Sequence, residues 1–421
     1  MDARMNRRIF GMLSKRLDEA GLDEVEDGRD NRGKRWRLGS LLRAVVGGML
    51  AGSKSLAEVE TLSTRLSRPM RGLLGVSRRL PDTTLRSALC TVEPWQLMPA
   101  LHTLIRQAQR RKALEPDELP FGVVSLDGKG FCIPASDDWY AQRQTHGEDA
   151  ALLGVVRSVT ATLTSCSARP IIDVTPVLAF TNEMGTFESA LDSLCSAYRG
   201  LFQLITYDAG ACSALNASLV RARDLHYLFG LTASQPTLFE DAKRWLGARL
   251  TAAADATTED FERGQKVVRR LFIGHATVEL DGWPHLRTVL RIQTQAFHGE
   301  TGELRSEDDR YLISSLPRDR LTTQHWLLVA RKHWGVETSH QILDTAFAED
   351  AHPWIEANPR AALVVAILRR IAYTLLSLFR SVTQRSDERR AMPWKTLMSD
   401  CFFALITTTI TQLSRPPSPV C

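Results

Sequence analysis

The sequence predicts a mixed α/β protein with a small helical domain in front, on three observations. Hydrophobic periodicity is helical from about residue 39 to 112, changes to short strand-length runs after Pro116 and Pro120, and turns helical again at 321–350. Two of the short runs end on an acid followed by small residues: Asp127 in "VVSLDGKGF" (123–131) and Asp208 in "LFQLITYDAG" (201–210). The carboxyl edge of the strands is where open α/β sheets bind their ligands.

A chain of 421 residues, 44% hydrophobic and 24% charged, can bury a large core and belongs to no disordered, collagenous or disulfide-built class. Seven cysteines are scattered without CxxC spacing, which indicates neither a zinc site nor a disulfide framework. The basic N-terminus lacks the apolar stretch of a secretory signal, so a cytoplasmic protein is expected, and no membrane partner. Lys and Arg exceed Asp and Glu by 53 to 48, and they cluster in "RDNRGKRWRLGSLLR" (29–43) and "RQAQRRK" (106–112). Such runs suit a phosphate backbone and equally suit a solvated helix face.

Residues 1–30 read as an N-terminal tail or helix, and 31–118 as the helical domain. Within it Ser55 is a candidate N-cap with Glu58 three residues on, as in a capping box, and Asp82 or Thr83 a second cap. From 119 to 235 the runs "FGVVSLD", "SVTATLTS", "PIIDVTPVLAF" and "LFQLITYDAG" read as strands, with a helix at 186–200. Residues 236–310 read as an insertion of strands and one helix, whose polar end "HGETGELRSEDDR" (298–310) is expected to be an exposed connection. The segment 311–381 carries the returning helical pattern and the apolar run 361–380. Arg369 and Arg370 break that run, making it a core helix with arginines at an edge or facing DNA rather than a membrane span. Residues 382–421 supply a C-terminal helix and a tail, "SRPPSPVC", expected to fray.

At helical spacing Ala330, His333, Trp334, Glu337, His340 and Gln341 share a sector, which adds a third acid, Glu337. Three carboxylates are the donors that hold hard divalent cations, Mg²⁺ first and Mn²⁺ second. A two-metal site of that kind activates a water or a 3′-hydroxyl for in-line attack on a phosphodiester. Taken singly, an acid at a strand end is more often a turn residue, and Glu337 could pair with Lys332 or His333 on a helix surface. Asp173 and Glu183 read as loop or solvated acids, Trp334 as a core anchor, and Asp344, Glu349 and Asp350 as structural partners of Arg369 or Arg370.

The stretches "SLDGKG", "TNEMGTFESALDSL", "ITYDAGACS", "ASQPTLFE", "YLISSLP" and "RKHWGVETSHQILDTAFAED" occur in an order that resembles bacterial insertion-sequence transposases of the DDE type, in the H-repeat-associated branch. "RGKRWRLGSLLRAVVGGMLAGSKSLAEVETLS" resembles the helical domain that precedes the catalytic domain there. The resemblance spans residues 30–380. It implies a ribonuclease H-like catalytic core with an insertion before the last acid, and it makes Asp127, Asp208 and Glu337 the catalytic, metal-binding triad. Lys129, Lys332, His333 and His340 become candidate DNA contacts. Double-stranded DNA is the implied partner, at element ends and target, with a homodimer or higher assembly on DNA in a bacterial, nucleoid-associated setting. The chain departs from the family at Cys132, Ala211, Thr232 and Ser234, where basic or polar residues are usual.

Two rival functions follow from the same residues, a nuclease that cuts without strand joining and a catalytically weakened, transposase-derived DNA-binding protein. A fourth reading places zinc on His333, Glu337 and His340, but it lacks an HExxH motif.

Overall fold

The computed structural model describes residues 3–134, 138–146, 151–262, 264–275 and 282–414. The tail expected to fray lies outside them, Ser414 excepted. The N-terminal helical pattern forms α1 (Ala3–Glu19), α2 (Leu38–Leu50), α3 (Leu56–Arg65), α4 (Arg68–Leu74), α5 (Asp82–Leu89) and α6 (Met98–Arg110). Ser55 caps α3 by accepting from the Glu58 amide at 3.2 Å, but the Glu58 carboxylate accepts from Lys54 rather than from the cap residue. At α5 the cap is Pro81, and Asp82 is already helical, where its charge complements the helix dipole.

The strands follow as β1 (Val123–Pro134), β2 (Gln142–His146), β3 (Ala151–Leu163) and β4 (Ile171–Val177). Next come α7 (Glu183–Ala197), β5 (Leu204–Tyr207), α8 (Ala214–Arg221), β6 (His226–Leu231) and α9 (Pro236–Leu246). Helix α7 begins three residues before the predicted start because Asn182 Oδ1 accepts from the Gly185 amide at 2.9 Å and caps it there. The chain continues through β7 (Ala256–Glu262), β8 (Gln265–His275), β9 (Thr288–His298) and β10 (Leu304–Ser314). Among the described residues these form one ten-stranded mixed sheet ordered β2-β3-β1-β5-β6-β10-β9-β8-β7, with β4 also on β3. The pairs β1–β5 and β5–β6 are parallel; the other pairings are antiparallel.

The stretch 298–310 is thus no mere connection. Most of it lies in β10, which joins the inserted hairpins to β6. Its first seven residues are exposed, so it lacks the apolar alternation by which a half-buried strand is recognised in sequence.

The predicted helix over 321–350 divides into α10 (Thr323–Lys332) and α11 (Gly335–Thr345), joined at His333 and Trp334. Helix α12 (Pro359–Leu378) is buried along its length, and so are Arg369 and Arg370. They neither sit at an edge nor face a partner: Arg370 makes a double hydrogen bond to buried Glu349 at 2.6 and 3.0 Å, and Arg369 stacks on Trp354 while donating to the His352 carbonyl. Helix α12 is the one helix among the described residues long and apolar enough to cross a membrane, and protein covers all of it. After α13 (Asp387–Arg390) come α14 (Trp394–Thr407) and α15 (Ile410–Ser414). Residues of α1 to α6, α12 and α14 share one apolar core, which reaches Phe131 and Val156 of the sheet.

Candidate active site

Register places the first two acids side by side. In the parallel pair β1–β5, Ser125 stands opposite Thr206, so Asp127 and Asp208 each follow by two residues on the same side of neighbouring strands, about 4.8 Å apart in strand spacing. The level below them is hydroxyl-lined: Thr206 Oγ1 donates to Ser125 Oγ at 2.8 Å, and Ser125 Oγ meets Thr164 Oγ1 at 2.9 Å. His333 Nδ1 joins this buried chain through Thr206 Oγ1 at 2.9 Å. Glu337 follows four residues later, in the first turn of α11. Gly335 permits the approach, since a Cβ there would stand 3.0 Å from Thr164 Cγ2.

The acids act on one another. Glu337 has its pKa raised by burial and by Asp127 and Asp208, against Arg310 and His340. Asp208 is raised by burial and by Asp127, against the amides of Gly210 and Ala211; the Gly210 amide donates to its Oδ1 at 2.9 Å. Asp127 Oδ2 lies 3.2 Å from His340 Nδ1, and His340 Nε2 is buried without a hydrogen-bond partner among the described residues. Burial pushes His333 down to about 4, which keeps it neutral at physiological pH.

Glu183 is a fourth acid of this group. Its pKa is raised by burial and by Asp127 and Asp208, and its carboxylate lies where a Cβ on Gly128 would be, 2.1 Å from that position to the carboxyl carbon. It is half-buried rather than solvated, and Gly128 beside Asp127 is the sequence signal that makes room for it. Burial and the surrounding acids also push Tyr207 well up, and its hydroxyl has no hydrogen-bond partner among the described residues.

Several expected roles change. Gly128, Lys129 and Gly130, whose glycines suggest in sequence a flexible turn after Asp127, are strand residues. Lys129 is buried, with Nζ 2.7 Å from Asp344 and 3.3 Å from Asp350, so it cannot reach a DNA phosphate without abandoning both. Lys332 is buried against Glu118 at 3.0 Å, not against Glu337. Trp334 is 40% exposed and anchors no core. Asp173 is 2% exposed and faces His102 at 3.3 Å. For the zinc reading, His333 Nδ1 is on Thr206 and His340 Nδ1 on Asp127, and among the described residues these side chains form no group placed to hold a metal ion. Of the departures from the family pattern, Cys132 is exposed, Ala211 is buried, and the Thr232 and Ser234 hydroxyls bond each other at 3.1 Å.

The donor chemistry of Asp127, Asp208 and Glu337, oxygen only and mutually repulsive, fits a hard divalent cation. Among the described residues no group of three or more His, Cys, Asp or Glu side chains stands close enough together to hold a metal ion. No protein family matches the chain, and no curated protein is similar to it in sequence.

Proposed function

We propose that this chain is a DNA transposase of the DDE type, cutting at the ends of an insertion sequence and joining the freed 3′-hydroxyl to target DNA. The observation that carries this reading is the electrostatic grouping of Asp127, Asp208 and Glu337, two on neighbouring parallel strands and one on a helix that the Ser125–Thr206–His333 chain ties to them. The strand order β4-β3-β1-β5-β6, parallel at β1, β5 and β6 and antiparallel on the β3 side, supports a ribonuclease H-like core extended by inserted strands.

In this reading Asp127, Asp208 and Glu337 hold Mg²⁺ or Mn²⁺, which supplies the charge that activates the attacking oxygen and stabilises the leaving one. The protein itself positions the acids. The neutral imidazole of His333 donates from Nδ1 to Thr206 Oγ1, whose own hydrogen goes to Ser125, and carries no competing charge. His340 orients the Asp127 carboxylate.

The test uses purified full-length protein, Mg²⁺ or Mn²⁺, and DNA bearing the inverted repeats that flank the reading frame. Nicking and joined products are expected, with at least about a 100-fold loss in each of Asp127→Asn, Asp208→Asn and Glu337→Gln. Full cleavage by any of the three overturns the assignment. Cleavage without joined products would identify a nuclease, and binding without cleavage a DNA-binding derivative.

A further inference from the structure

We propose that Arg310, held over the Trp334 indole, is the side chain that grips a backbone phosphate of DNA entering the acid site. This rests on the DNA-cutting reading above. It starts from a shortage: a site of four carboxylates must receive a polyanion, and the cations that sequence nominates for that task are spent. Lys129 is held by Asp344 and Asp350, and Lys332 by Glu118. His333 stays neutral on Thr206.

Strand register brings in a replacement from the insertion. Tyr311 of β10 stands opposite Leu231, the last residue of β6, so Arg310 lies just past the carboxyl end of β6. Asp208 lies just past the carboxyl end of β5, which runs parallel to β6. Leu312 pairs with Gly230, and a Cβ on Gly230 would stand 3.2 Å from the Asp208 carbonyl carbon, so the two ends are in contact.

The Arg310 guanidinium is 4.2 Å over the Trp334 ring, and Trp334 precedes Glu337 by one turn on α11. Arg310 is also the arginine whose charge acts on Glu337. Its side chain is 52% exposed. Its Nε is hydrogen-bonded to Asp308 at 2.8 Å, an exposed ion pair of little strength. The indole supports the guanidinium, the bond to Asp308 uses only Nε, and half of the side chain is open to solvent, a setting suited to a phosphate.

The test is fluorescence anisotropy of a labelled 30-base-pair duplex of mixed sequence with full-length protein in EDTA, between 50 and 200 mM KCl. Arg310→Ala is expected to bind about 5- to 10-fold more weakly and to lower the slope of log K against log salt by about 0.9, the loss of one phosphate contact. Arg310→Lys should keep the slope and lose about 2- to 3-fold in affinity. Asp308→Asn, which frees the guanidinium, should tighten binding about 2-fold, and it carries the test if the alanine variant does not fold. Wild-type affinity and slope in Arg310→Ala, or unchanged or weaker binding in Asp308→Asn, overturn the proposal while the DNA-cutting reading stands. Absence of binding by the wild type removes both.

Discussion

The residues from 332 to 350 serve two charged regions built on opposite principles. In the rear set, one step further along the same face of β1 as Asp127, Lys129 meets Asp344 and Asp350, and buried Glu349 meets buried Arg370, so each acid has a cation. In the front set, burial and the Asp127 carboxylate raise the proton affinity of Asp208, Glu337 and Glu183, with the His340 imidazole beside Asp127 and with Arg310 and Arg157 acting against the rise. A paired charge costs little to bury and fixes position; an unpaired group of acids costs stability and is retained where something else supplies the charge. The difference teaches that the rear set holds β1, α11 and α12 together so that the front set can remain unneutralised.

The largest expected effect breaks the rear. Arg370→Ala leaves the buried Glu349 carboxylate without its paired cation, and should cost about 3–5 kcal/mol in urea denaturation. The double replacement Arg370→Met with Glu349→Leu removes both charges and should recover most of that loss. A single variant within about 1 kcal/mol of wild type would show that the pair is not buried as described.

Next in size is the link between the regions. Thr206→Val removes the hydroxyl shared by Ser125 and His333 and should cost about 1–3 kcal/mol. Because the same bond seats the α10–α11 junction, metal-dependent cleavage should fall as well. A destabilised protein with full cleavage would separate the hydroxyl chain from the placement of Glu337.

The smallest effect sharpens the contrast through pH. The Glu183 pKa is raised on folding, so its contribution favours the fold below its unfolded pKa and is lost as pH rises through the folded value. Glu183→Gln should therefore match wild type near pH 4 and gain up to about 1 kcal/mol by pH 8, read as melting temperature across that range. Glu349 has the opposite sign: its pKa is lowered by the two arginines, so its stabilisation is present above its unfolded pKa and lost as pH falls through the folded value. A wild type more stable than Glu183→Gln at pH 8 would mean that the front acids are not repelling one another.

Much of this was legible in the sequence, and the failures have physical causes. The strands β1, β3, β4 and β5, helix α7, the Asp208 strand end and the buried helix at 361–380 could be read from periodicity, because apolar spacing reports which face is covered; β2, α8, β6 and β10 were not read. Asp127 was legible as a residue type but not as a mid-strand one: Gly128 and Gly130 suggest a turn, whereas Gly128 is glycine because Glu183 occupies its side of the strand. Partner choice was not legible at all. Nothing local distinguishes Lys129, which ends in a buried ion pair, from Arg310, which ends on an exposed indole. Both outcomes depend on residues tens to hundreds of positions away.

The claim that the front acids await a divalent cation is tested most directly by Mn²⁺ binding to full-length protein, followed by electron paramagnetic resonance at neutral pH. Saturable binding is expected, weakened at least about tenfold in Asp208→Asn and accompanied in the wild type by a Mg²⁺-dependent rise in melting temperature. Equal Mn²⁺ binding by the wild type and by a protein carrying Asp127→Asn, Asp208→Asn and Glu337→Gln together would contradict it.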